Sequence, residues 1–150
     1  MATKGTVAVN IAAPPESVWP WIADITKHAE WSPKPYRVEL VSGEPNAVGS
    51  HYRSVGWVPP NDNNHENDVE ITQVVPMTRF ALDATDSNGT FVNTFDLKAV
   101  DGGTEVTFLI VFPQMKGMSA IMVPILFPLV GMSDIKKRMQ LLKQKVESTK

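Results

Sequence analysis

The stretch Ile11 to Pro33, IAAPPESVWPWIADITKHAEWSP, sets how the rest of the chain is read. Just before it, Thr6 to Ile11 alternates. Val7, Val9 and Ile11 fall on one side and Thr6, Ala8 and Asn10 on the other, the period of a half-buried strand. Pro14 and Pro15 pre-set the backbone for a helix start, and Glu16 sits in the first turn, where the helix dipole favours negative charge. Val18, Trp19, Ile22 and Ile25 recur at helical spacing and supply a buried stripe. Pro20 falls inside this helix and predicts that it is short or bent. A second helical turn, Thr26 to Trp31, closes before Pro33, with His28 and Glu30 on its solvated face.

From Tyr36 to Phe112 the period changes to two. Strands are expected at Arg37–Val41, His51–Val58, Asp68–Val75, Arg79–Ala84, Thr90–Val100 and Thr104–Phe112. GEPNAVG, PPNDNNHEN and a Pro-Met turn separate the earlier ones. DSNG and DGG bound the last two, and Asn-Gly and Gly-Gly are hairpin signals because they accept positive φ. Six strands joined by short turns form an antiparallel meander. Asn88-Gly89-Thr90 also matches a glycosylation acceptor, but a hairpin turn accounts for it.

The chain closes with helix. Met132, Ile135, Met139, Leu142 and Val146 step by three and four along one seam, while Lys136, Lys137, Gln140, Lys143 and Gln144 cover the opposite face. Extending the seam backward adds Ile125 and Leu129. The helix is therefore expected to begin in the apolar segment, to kink around Pro124–Gly131 and to end near Glu147. That apolar segment, Met118 to Met132, is 15 residues long, whereas a membrane span needs about 20. Pro124 and Pro128 each remove a helical hydrogen bond. A buried or cavity-lining broken helix follows, with no stable membrane insertion; an interfacial, lipid-touching segment is the alternative.

The order is strand, two short helices, six strands, long helix: an α+β protein in which a curved seven-stranded antiparallel sheet has its concave face covered by the C-terminal helix. Between the two lies a packed core or a cavity. With 150 residues the chain is expected to form one domain over 1–150, burying roughly 70% of its unfolded surface. A net charge of −2 argues against a nucleic-acid partner, since such domains carry a clustered basic face. The absence of cysteine excludes disulfides, thiol nucleophiles and thiolate metal sites. The N-terminal text lacks the long apolar core of a signal peptide, so a cytoplasmic location is expected.

This order and its local text resemble the START-like superfamily, also called SRPBCC or polyketide cyclase/dehydrase-like and typified by the helix-grip fold of the birch pollen allergen. The resemblance is carried by Ala12-Ala13-Pro14-Pro15-Glu16-Ser17-Val18-Trp19, Ile22-Ala23-Asp24 and Trp31 before Ser32-Pro33. Val48-Gly49, Val74-Val75-Pro76 with Arg79-Phe80, and Asp101-Gly102-Gly103-Thr104 add to it. Leu141-Leu142-Lys143 matches the Leu-x-x-Leu-Lys helix terminus only loosely. The resemblance implies the helix-grip fold over nearly the whole chain, and usually a cavity. It does not choose among lipid and steroid carriers, polyketide cyclases and hormone receptors.

Alternation proposes the inner wall: Tyr52 and Ser54, Val69 and Ile71, Phe80 and Leu82, Phe91, Asn93 and Phe95, then Phe108 and Ile110. Met122, Ile125, Leu129 and Met132 from the broken helix are expected to close it. This set is mostly apolar with a few polar handles, the composition of a pocket for an apolar small molecule held by one or two hydrogen bonds. A filled core, with the hydroxyls satisfying one another, is the other reading. The opening is expected between the broken helix and the loop Pro59–Asn67. Met115, Met118, Met122, Met132 and Met139 suit an adaptable wall and equally an ordinary core.

Catalytic signals are sparse. His65-Glu66-Asn67-Asp68 lies on alternating faces and cannot converge on one ion, so no metal and no cofactor is expected. Glu70, Asp83 and Asp96 fall on the polar phase of their strands and are expected to face water with ordinary acidity, as His51 and Arg53 are expected to face outward. No nucleophile elbow, P-loop, dinucleotide fingerprint or HExxH occurs. The leading expectation is binding or transport of a lipid, sterol-like compound or polyketide. One alternative is cyclase or dehydratase acid–base chemistry, with Tyr52 and Asn93 orienting a carbonyl and Arg53 or Asp96 as proton partner. Another is a protein-interaction module with a filled core. The oligomeric state stays open, a homodimer included.

Overall fold

The computed structural model describes residues 3–58, 62–87 and 89–149. Residues 59–61 of the expected Pro59–Asn67 loop and Asn88 of the hairpin turn lie outside the described residues. The elements follow the expected order: β1 (Thr3–Ile11), α1 (Pro15–Ala23), a 3-10 helix (Ile25–Trp31), β2 (Arg37–Ser42), β3 (His51–Val58), β4 (Asp62–Val75), β5 (Arg79–Asp86), β6 (Gly89–Val100) and β7 (Gly103–Met115). Then come α2 (Ser119–Leu126), a π turn (Phe127–Gly131) and α3 (Met132–Thr149). The strands form one antiparallel sheet in the order β1-β7-β6-β5-β4-β3-β2. Register shifts between Leu40 and Ser42, Gly56 and Val58, Ile71 and Gln73, and Thr90 and Val92 bend and twist the strands, as bulges do.

Pro14 is extended at the N-cap of α1 and Pro15 is its first residue, where a missing N–H costs nothing. The helix ends at Ala23, three residues past Pro20, and buries Val18, Trp19 and Ile22. Asp24 then caps the 3-10 helix, accepting from Thr26 N at 3.1 Å and Thr26 Oγ1 at 2.6 Å. Three residues per turn stack positions i, i+3 and i+6, which turns Ile25, His28 and Trp31 inward together. His28 is therefore buried, not solvated as an α-helical reading suggests.

The strand β4 starts six residues earlier than its apolar residues indicate, at Asp62. The period of two continues into polar residues, with Ser54 facing Asn67 across the β3–β4 ladder. At the other end of the chain, Met139, Leu142 and Val146 bury the seam of α3 against the sheet. Lys143 Nζ donates to Asn10 O at 2.7 Å and pairs with Glu147 Oε2 at 2.6 Å, and Ala12 N donates to the same carboxylate at 2.8 Å. These contacts tie the end of α3 to the end of β1.

The seam does not extend backward through the prolines. Met132 N–H bonds to Phe127 O, five residues back, so the helix carries an inserted residue. One extra residue rotates everything before it by roughly 100°. Phe127 thereby turns inward, 9% exposed, while Met122, Ile125 and Leu129 swing out to 37%, 54% and 72% exposure. Gly5 and Gly131 leave the space that the Phe127 ring fills; a Cβ at Gly5 would lie 2.7 Å from Phe127 Cε2.

Candidate functional site

Between the concave sheet face and α3 lies a cavity of about 240 Å³. Val69, Leu82, Ala84, Phe91, Phe95, Phe108 and Ile110 make its apolar wall, with Ser54, His65, Asn67 and Asn93 beside them. Phe127, Gly131, Asp134, Ile135 and Arg138 line it from the helix, and His28 and Tyr36 from the segment before β2.

Of the residues proposed for the inner wall, Ser54, Val69, Leu82, Phe91, Asn93, Phe95, Phe108 and Ile110 are brought together here. Tyr52, Ile71 and Phe80 face the same side of the sheet but are packed in solid core. The Tyr52 hydroxyl is taken up by the loop before β3. It accepts from Asn46 N at 2.8 Å and donates to Asn46 Oδ1 at 3.4 Å, while that amide oxygen also accepts from Ile25 N at 3.0 Å. Met122 and Ile125 are on the outer surface, rotated there by the π turn. Leu129 and Met132 line an open groove on the other side of the helix, with Pro128, Lys137 and Leu141. The Met132 sulfur lies against Gly5 on β1.

His28 and Tyr36 bring titratable chemistry that alternation on the strands could not find. The His28 ring sits among aromatic rings, 4.7 Å from Trp31 and 5.7 Å from Phe95 by centroid. Its Nε2 lies 2.7 Å from Ile22 O; a carbonyl only accepts, so Nε2 carries the proton. Burial lowers the His28 pKa to about 4 against that hydrogen bond, with the charge of Arg138 acting in the same direction as burial. Burial raises the Tyr36 pKa above its ordinary value, with Arg138 and a hydrogen bond to Ser54 opposing it. The readable signal for His28 was the spacing of three in Ile25, His28 and Trp31.

Arg138 was also missed, hidden among the lysines of the polar face. Its guanidinium lies 5.9 Å from the Trp31 ring centroid and 6.0 Å from that of Tyr36. Burial lowers its pKa, while Tyr36 and Asp134 act to raise it.

The catalytic constellation of Tyr52, Asn93, Arg53 and Asp96 is not assembled. Arg53 is on the outer face, paired with Glu39 and, at 3.2 Å, with Glu66. Asp96 is on that face too, paired with Arg79 at 2.6 Å. His51 lies outward beside Asp68 at 3.2 Å. Asp83 departs from ordinary acidity: partial burial, and Glu70 opposite it across the ladder, raise its pKa. His65 lines the cavity with Nε2 2.5 Å from Asp86 Oδ2. Among the described residues no three His, Asp or Glu side chains gather closely enough to hold a metal ion.

The fold recurs among solved structures. The Zhui aromatase/cyclase from Streptomyces sp. R1128 aligns with a TM-score of 0.77 at 15% identity, over 98% of this chain and 94% of that one. Ara h 8.0201 aligns at 0.68 and 16% identity, over 99% and 97%. Protein Ms6760 from Mycobacterium smegmatis aligns at 0.69 and 19% identity, over 98% and 92%. At such identities the likeness is one of fold. No curated protein matches the sequence. The family described as polyketide cyclase / dehydrase and lipid transport matches residues 2–147, and the chain belongs to that family.

Proposed function

We propose that the protein binds an apolar small molecule, of the lipid, sterol-like or polyketide kind, in the cavity between the sheet and α3. The observation that carries this reading is the cavity itself, walled by Val69, Leu82, Phe95, Phe108 and Ile110. Contact with such a wall releases roughly 25 cal/mol per Å² of apolar surface, and a few polar groups suffice to orient the guest. The test is uptake of the neutral dye N-phenyl-1-naphthylamine, read as a rise in its fluorescence, with native mass spectrometry of the purified protein. Ala84→Leu, which fills the cavity from β5, abolishes the uptake. An unchanged signal in Ala84→Leu, or no uptake by the wild type, rejects the reading.

A second reading, acid–base chemistry of the cyclase or dehydratase type, is favoured by one observation. His28 and Tyr36 line the cavity with pKa values displaced in opposite directions, the pattern by which a site separates a base from an acid. Neutral His28 accepts a proton and Tyr36 supplies one. Loss of water from a poly-β-carbonyl thioester analogue, followed by mass, tests it; a substrate that binds and leaves unchanged rejects it.

A further inference from the structure

Resting on the binding reading above, we propose that the guest carries an anionic oxygen group, a carboxylate or ionised enol, which is seated on Arg138. The guanidinium lines the cavity and makes no hydrogen bond or ion pair with any described residue; the faces of Trp31 and Tyr36 are what it rests against. A guanidinium presents five N–H donors in a fixed fork that matches a carboxylate bidentately. Desolvating it without such a partner is costly, and two aromatic faces return only part of that cost. Asp134, one turn earlier on α3, bears on Arg138 through its charge without reaching ion-pair distance.

A second polar group points the same way. The side-chain oxygen of Asn67 is buried, lines the same cavity and has no hydrogen-bond partner among the described residues. An orphaned buried acceptor destabilises the empty cavity, and a hydroxyl on the guest would satisfy it. Tyr36 and Ser54 lie beside these two groups, and the rest of the wall is largely apolar, from Val69, Leu82, Phe95, Phe108 and Ile110, so the ligand class is an amphipathic molecule with an apolar body, an acid group and a hydroxyl. A simple hydrocarbon leaves both polar groups unsatisfied, and a neutral ester offers Arg138 only an uncharged acceptor and Asn67 no donor.

The test loads the cavity with N-phenyl-1-naphthylamine and displaces it with decanoate or with decanol near neutral pH. In the wild type decanoate displaces the dye at about tenfold lower concentration than decanol, as one charge-assisted hydrogen-bonded pair provides. Arg138→Met keeps the stem between the two rings and abolishes that preference, with the loss falling mainly on decanoate; Arg138→Lys retains part of it. Thermal unfolding of Arg138→Met, no lower than that of the wild type, separates a ligand-binding arginine from a structural one. Equal displacement by acid and alcohol in the wild type overturns the anion site and leaves the cavity reading standing. A preference that persists in Arg138→Met overturns it as well, and a preference lost only together with a lowered melting temperature assigns Arg138 a structural role instead. No dye uptake at all rejects the cavity reading, and the anion site falls with it.

Discussion

At the scale of single residues the molecule separates what holds the fold from what faces the cavity. His28 is neutral in the folded protein, with its pKa near 4, against an ordinary value of 6.5 in the unfolded chain. Below pH 6.5 the unfolded chain takes up a proton that the folded protein refuses, so stability falls from about pH 6.5 toward pH 4 and this group adds no further loss below that. The full displacement corresponds to about 3 kcal/mol. Urea midpoints measured between pH 7 and pH 4 should show this slope, and His28→Gln should flatten it; an equal slope in the variant assigns the loss to carboxylates. Tyr52 makes the contrast. Its hydroxyl is bound to Asn46, away from the cavity, so Tyr52→Phe leaves a backbone N–H without its acceptor. A loss of about 1–3 kcal/mol is expected, with dye uptake unchanged.

The elements show where sequence pattern carries information and where it stops. Strand phase was readable because period two allows only two faces: Ser54, Val69, Leu82, Asn93, Phe95, Phe108 and Ile110 all reached the cavity side. Helix phase was readable within α3, where Met139, Leu142 and Val146 lie on one buried seam. It failed across Pro124–Gly131 because an inserted residue resets the phase and leaves no mark on the spacing of apolar residues. In the same way, an α-helical period hid His28 on a 3-10 helix, and a preference for apolar residues hid the polar start of β4. Arg138 was illegible for a different reason: a cation on an amphipathic helix looks the same whether it ends in water or over two aromatic rings. The phase reset gives a paired prediction. Leu129→Ala should change stability by no more than about 0.5 kcal/mol, whereas Leu142→Ala should cost about 2–5 kcal/mol. Gly131→Ala places a methyl in the Phe127 ring and should cost about 1–3 kcal/mol through overpacking. Denaturant midpoints for the three variants check the set.

For the molecule as a whole, the sheet order places the first strand beside the last. Thr3 pairs with Phe112 and Ile11 with Thr104, while the other neighbours in the sheet are consecutive in sequence. Closing such a long loop opposes early pairing of β1. Val9→Ala should therefore speed unfolding and leave the refolding rate nearly unchanged in stopped-flow chevrons; slowed refolding would place β1 in the nucleus. The same pairing has a consequence during synthesis. Ile11–Pro33 leaves the ribosome well before the strand that β1 pairs with and the helix that covers it. At about 5–20 residues per second, Val9, Ile11, Val18 and Trp19 wait roughly 5–20 s for β7 and α3. The stretch that announces the fold is also the one the cell must shelter longest before the fold exists.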